Sequence, residues 1–430
     1  MILQTDNQTI EDLRLFSRQG QKGIYEIYNN TATRGGEQLL ESMFRSPLSD
    51  LEAVRSRAAI IGAFAKLKTQ FPFEGALLDN VEKYMLHANE LSDGKKPDLS
   101  EKETASGVVA IIELFHLLRD FVEKGDLKTI AGLENDRMLV SSILDETSLA
   151  PVFKERAKAK LSYAASTAYD VLFRVREKEK VTRLLQFIYL IDVYISVANV
   201  AVKHNFVFPV PRPKGSGTLE LEGVYHPELH APVPNTLSMN ADKTVVFLTG
   251  ANMAGKSTFL RSFSTALYIA HMGFPVAAKR MEFAVMDEIY TTINLPDNLG
   301  IGASHFYAEV LRVKRMAIEL GAGKSLFVVF DELFRGTNVK DAHEGTVEVT
   351  QAFAEMKTSR FIISSHIVEA AAQLSKKSNI GFHYLPTVMN GSMPVYTYTL
   401  KEGVTDDRHG MIIIRNEGIL ETLKNGNKNG

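Results

Sequence analysis

The sequence predicts an α + α/β protein: an all-helical half over residues 1–210, then an α/β half over residues 211–430 with a largely parallel central sheet. Three observations predict it. From Ile10 to about Val207 apolar residues recur at three- and four-residue spacing, the period of a helix face. At Phe208-Pro-Val-Pro-Arg-Pro-Lys-Gly-Ser-Gly217 the composition turns to proline and glycine, which stops helix and marks a linker. Beyond it, short β-branched and aromatic runs alternate with helical stretches, the texture of strands joined by crossover helices.

The elements follow in order. Val108, Ile111, Ile112, Phe115, Leu118 and Val122 form one apolar stripe. The polar run 91–104 reads as a turn into that helix, with Ser100 or Thr104 as its cap. Phe187 to Val200 is the most apolar stretch, but Asp192 and Asn199 interrupt it, so a buried helix is expected rather than a membrane span. In the second half the strands are expected at Thr244 to Leu248, Ser325 to Phe330, Arg360 to Ser364 and Val395 to Leu400, with a frayed polar tail over 424–430.

Composition narrows the function classes. A chain of 430 residues with 45% hydrophobic residues can bury at least two cores. It holds no cysteine, which rules out disulfides, thiolate metal sites and a cysteine nucleophile, and fits a reducing compartment. Met1 to Asp6 has no basic start leading into an apolar run, so a cytoplasmic location is expected. A formal net charge of -2 neither supports nor excludes DNA. No sustained heptad run is present to build long coiled-coil arms.

The chemistry gathers in three places. Thr244 to Arg261 is a strand running into Gly-x-x-x-x-Gly-Lys-Ser and then a helix. In such a P-loop, Gly250, Ala251, Asn252, Met253, Ala254 and Gly255 curl backbone N–H groups around phosphates, and Thr258 follows in the helix whose N-terminus faces their charge. Lys256 reaches the β- and γ-phosphates of ATP, and the Ser257 hydroxyl holds Mg2+. The apolar strand Ser325-Leu-Phe-Val-Val-Phe-Asp-Glu332 ends in two acids at the ligand edge of a parallel sheet. Asp331 is expected to hold the metal through water and Glu332 to polarise the attacking water. A strand ending in Asp-Glu is weak evidence alone and is strong beside the upstream loop. Arg360-Phe-Ile-Ile-Ser-Ser-His366 brings His366 to the same edge, to sense the γ-phosphate or orient the water.

These residues resemble a known family. Thr249-Gly-Ala-Asn-Met-Ala-Gly-Lys-Ser-Thr258, Asp331-Glu-Leu-Phe-Arg-Gly-Thr337 and Ser364-Ser-His366 together resemble the ATPase domain of MutS DNA mismatch-repair proteins, a branch of the ABC-type ATPases. Gly302-Ala-Ser-His-Phe-Tyr-Ala-Glu309 is similar to the family's signature segment, so the resemblance implies that Ser304 acts on the nucleotide of a partner subunit. The resemblance thus implies a homodimer with composite nucleotide sites and DNA, held through its backbone, as partner. Gly403 to Gly410 is similar to the family's approach to its closing helix. Ile27 to Leu40, with Arg45-Ser-Pro-Leu48, resembles the start of the family's helical core and lever domain.

Departures from the family pattern set further expectations. No segment precedes residue 20 to supply a mismatch-reading wedge, so mismatch selectivity is not expected. Phe334 replaces the family's usual glycine and is expected beside the active site; His305 stands where threonine is usual. Pro232 stands where an adenine-stacking aromatic is usual, which leaves Tyr398 for that role. The basic residues Lys154, Arg156, Lys158, Lys160, Arg174, Arg176, Lys178 and Lys180 are interleaved with glutamates and are expected on a solvated surface. The main alternative to a DNA-handling ATPase is an ATP-driven protein-interaction switch without DNA contact.

Overall fold

The computed structural model describes all residues except 19, 88–98, 159, 252, 294–304, 367, 392, 406–417 and 427–430, and the side chains of 124, 305, 420 and 424–426. In order, the helices are α1 Asn7–Asp12, α2 Ile24–Tyr28, α3 Arg34–Arg45, α4 Leu51–Leu67, α5 Gly75–Leu86, α6 Glu101–Lys124, α7 Glu134–Leu144, α8 Tyr163–Val171, α9 Lys178–His204, α10 Lys256–His271, α11 His305–Gly321, α12 Val339–Ala354, α13 Val368–Leu374 and α14 Ile419–Gly426. The strands are β1 Val210–Arg212, β2 Leu219–Val224, β3 Asn235–Met239, β4 Val245–Gly250, β5 Arg280–Ala284, β6 Glu288–Thr292, β7 Leu326–Asp331, β8 Arg360–Ser364, β9 Ile380–Leu385, β10 Thr387–Asn390, β11 Met393–Tyr396 and β12 Lys401–Glu402. The chain forms two compact units: Tyr25–Arg45 with Ser56–His204, and Met1–Ile24 with Ser46–Arg55 and Asn205–Gly430.

The first unit is helical. Its α6 begins with a capping box: Glu103 N–H donates to Ser100 Oγ, and Ser100 N–H donates to Glu103 Oε2. The stripe Val108, Ile111, Ile112, Phe115, Leu118 and Val122 is buried as its spacing requires. α9 is the only helix among the described residues long and apolar enough to cross a membrane. Its apolar window is 72% buried inside the protein, as a core helix is. Asp192, near its middle, accepts the backbone N–H groups of Ala32 and Thr33 and the Thr33 hydroxyl, satisfying donors at the start of α3. One basic residue departs from the expected solvated surface: Arg174 is 2% exposed and donates twice to Asp170, which also accepts the Tyr84 hydroxyl at 2.6 Å. Asp170 and Arg174 are four residues apart, and Arg174 lies within a π-helical turn over Leu172–Arg176.

The second unit mixes helices with two main sheets. The larger has the order β12-β9-β4-β8-β7-β6, parallel from β9 to β6 with only β12 antiparallel. β8 is buried throughout and β4 and β7 are buried up to their last residue, which is why they read as continuous apolar runs. The smaller sheet has the order β1-β5-β2-β3.

Three expectations need correction. Residues 1–24 and 46–55 belong to the unit containing the sheets, not to the helical one. Gln4 makes a parallel bridge to Glu288, and Asp12, 2% exposed, accepts from the Thr291 hydroxyl and the Ile293 N–H, so this segment closes the edge of β6. Such pairing, across 279 to 281 residues for the Asp12 contacts, leaves no local mark. Part of the proline-rich linker is strand: β1 runs parallel to β5 with Pro211 at the sheet edge, where a missing N–H costs no ladder bond. The strand expected at Val395 to Leu400 is Met393–Tyr396, paired with β10, and the chain turns at Tyr398, whose φ is 54°.

Candidate functional site

Three parallel strands, β4, β8 and β7, end side by side, and the residues that follow each converge. β4 runs into a glycine-rich loop in which Gly250 has φ 153° and Gly255 φ 97°. Gly255 caps α10 in the left-handed region, where a side chain is strained. A Cβ at Gly255 would also lie 2.9 Å from the Tyr398 ring. Met253 is left-handed too, at φ 72°, and is exposed, whereas Ala254 is buried.

Lys256 begins α10 and is only 6% exposed. Its Nζ donates to the carbonyls of Gly250 at 2.8 Å and Ala251 at 3.2 Å, so the ammonium lies folded against its own loop. Burial pushes its pKa down, and the nearby Glu332 and Asp331 oppose that shift. The Ser257 hydroxyl donates to Asp331 Oδ2, and Ser364 at the end of β8 donates to Asp331 Oδ1 at 2.6 Å. Asp331 is thus held between the first turn of α10 and the end of β8, in register with Ser364.

Glu332 follows with φ 61°, and its N–H donates to the Ser364 carbonyl at 3.1 Å. Its carboxylate lies 3.7 Å from His366 Nδ1 and 3.9 Å from Arg335. The pairing with His366 holds the Glu332 carboxyl below its usual range against the effect of burial, and raises His366 in turn. The Phe334 ring, two residues beyond Glu332, is 5% exposed and packs in the hydrophobic core with Leu333, Ala342 and Val347.

A cleft of about 300 Å³ opens beside Gly255, lined by Pro232, Val233, Asn235, Thr258, Tyr398 and His226 among others. Asn235 fixes one wall: its side chain donates to the Tyr398 carbonyl at 2.9 Å and accepts the Leu400 N–H at 2.6 Å. His226 is 5% exposed, and burial with Arg261 and Arg14 pushes its pKa down to about 4. The ring is therefore neutral at ordinary pH, and Nε2 has no hydrogen-bond partner among the described residues.

The structure brings together Gly250, Ala251, Met253, Ala254, Gly255, Lys256, Ser257, Asp331, Glu332 and His366, with Thr258 and Tyr398 on the adjoining cleft. Asn252 and Ser304 lie outside the described residues. Sequence reasoning gave no role to Ser364, Asn235 or His226. Ser364 was within reach, since it occupies the last position of a recognisable strand, but its hydrogen bond to Asp331 depends on β8 lying next to β7. Nothing local marks Asn235 or His226.

Comparison with known proteins identifies the family. The models of MutS domain III and MutS domain V match residues 8–198 and 246–426, which together span most of the chain. The chain belongs to the MutS family. It is 27% identical to the DNA mismatch repair protein MutS of Persephonella marina over 70% of this chain and 35% of that protein. It is 23% identical to that of Streptococcus thermophilus over 94% of this chain and 48% of that protein. The chain spans about half the length, or less, of these MutS relatives. Within the family match, the domain III model begins in α1, which the fold groups with the sheets.

Proposed function

We propose that this chain is a P-loop, ABC-type ATPase that binds and hydrolyses ATP with Mg2+, works as a homodimer, and serves DNA mismatch repair or a related handling of DNA structure. The observation that carries the reading is the convergence of Lys256, Ser257, Asp331, Glu332 and His366 where β4, β7 and β8 end. Loop N–H groups and the N-terminus of α10 would cradle the phosphates. Lys256 would exchange its loop carbonyls for the β- and γ-phosphate oxygens. Ser257 and Asp331 form an oxygen-only donor pair of the kind a hard divalent cation takes alongside phosphate oxygens and water. When bound, Mg2+ would supply charge neutralisation between the phosphates. Glu332 would accept a proton from the attacking water, and His366 would orient that carboxylate.

The nucleobase would occupy the cleft beside Gly255, against Tyr398, and Ser304 would complete the site of a second copy. DNA would be held by its backbone, so binding should weaken steeply with salt. The deciding experiment pairs two variants. Lys256→Ala should abolish turnover, since it removes the charge facing the β- and γ-phosphates. Glu332→Gln should keep nucleotide binding and stop hydrolysis. Wild-type turnover in both would overturn the site. Turnover without DNA binding at low salt would leave an ATP-driven protein-interaction switch.

A further inference from the structure

The turn after β7 is built against backbone preference. Glu332 has φ 61° and Phe334 φ 63°, so two bulky residues in three occupy the left-handed region without a glycine between them. Neighbouring elements must therefore hold the turn in place.

The holders are identifiable. The Phe334 ring meets Phe306 edge to face, with centroids 5.7 Å apart. On its other side it fills a recess over Gly345 of α12, where a Cβ would come within 3.0 Å of the ring. The Glu309 carboxylate, 2% exposed, accepts the Phe334 backbone N–H and lies near Arg335. Burial raises that carboxyl to about 7, while Arg335 and the Phe334 N–H act against the rise. Phe306 and Glu309 stand three residues apart at the start of α11, hence on one face of the helix. That face grips the turn, and the turn carries Glu332 at its first position.

We propose that Phe306 and Glu309 are positioning residues for Glu332, acting through Phe334, so that the first turn of α11 sets the geometry of the water-activating carboxylate. The assignment rests on the ATPase reading above. Phe334 makes the link aromatic; a glycine at that position would have no ring for Phe306 to meet.

The test compares wild type with Phe306→Ala, Phe306→Leu, Glu309→Gln, Phe334→Gly and the double variant Phe306→Ala/Phe334→Gly. It reads ATP turnover, affinity for a non-hydrolysable ATP analogue, and amide hydrogen exchange. Phe306→Ala and Glu309→Gln should lower kcat by about tenfold, with KM and analogue affinity within about twofold of wild type, and Phe306→Leu should recover most of the loss. In the Phe334→Gly background, Phe306→Ala should change kcat by no more than about twofold. Exchange over residues 332–336 should quicken about tenfold in Phe306→Ala and stay unchanged over residues 257–261. Wild-type kcat in both single variants, a joint loss of kcat and analogue affinity, or a Phe306→Ala effect undiminished in the Phe334→Gly background would each overturn the assignment. Failure of the ATPase reading has a different signature: wild-type turnover no higher than that of Lys256→Ala. The exchange measurement then still decides whether α11 holds the turn.

Discussion

The glycine-rich loop after β4 and the turn after β7 face each other across the candidate site and solve the same backbone problem by opposite means. Each must bend sharply at the end of a buried parallel strand to present side chains at the sheet edge. The loop does so mainly with glycines, Gly250 and Gly255, for which positive φ costs little. The turn uses Glu332 and Phe334, and its conformation is maintained by hydrogen bonds and packing from β8, α11 and α12. The first device is written in the local sequence. The second depends on elements that come from elsewhere in the chain, so the two should respond differently to substitution.

The largest effect is expected in the loop. Gly255→Ala puts a Cβ into the left-handed region at a cost of about 1–2 kcal/mol. It also drives that Cβ toward the Tyr398 ring. Affinity for an ATP analogue, read by titration calorimetry, should fall at least tenfold. An alanine variant that binds as wild type does would remove the reason for a glycine there.

A smaller effect is expected in the turn. Thr346 is fully buried on α12, and its hydroxyl donates to the Leu333 carbonyl at 3.2 Å. Thr346→Val keeps the shape and removes that bond, which should lower stability by about 1 kcal/mol. Kcat should fall as well, while analogue affinity holds. Denaturant unfolding and steady-state kinetics measure both; a variant as stable and as active as wild type would mean the turn maintains itself.

The smallest effect is a pH dependence. His366 is raised above its ordinary value by Glu332, so the charged pair is fully present below the ordinary histidine range and is lost as pH rises through the raised value. Because His366 is 57% exposed, solvent weakens the interaction. Turnover should rise a few-fold across that window as Glu332 is released to accept a proton, and His366→Gln should flatten the rise. An unchanged profile in that variant would assign the titration to another group.

How much was legible in the sequence follows the same division. β4, β7 and β8 were readable because they are buried on both faces and so consist of unbroken apolar residues. Lys256, Ser257, Asp331, Glu332 and His366 were readable because each lies at or just beyond the end of such a strand. The Ser100 cap and the stripe on α6 were readable because a helix repeats over a few residues. What the tertiary structure alone decided involves residues far apart in the chain. Asp12 meets Thr291, Asn235 meets Tyr398, and Phe306 meets Phe334 because of how strands and helices are ordered in space. Arg174, which reads as one more solvated cation, is buried against Asp170 and the ring of Tyr84, which comes from another helix. Local periodicity and strand-end chemistry determined the elements and the composition of the site. The strand order of the sheet and the packing of α11 and α12 decided which of those residues touch, because such contacts arise from chain topology and not from neighbouring sequence.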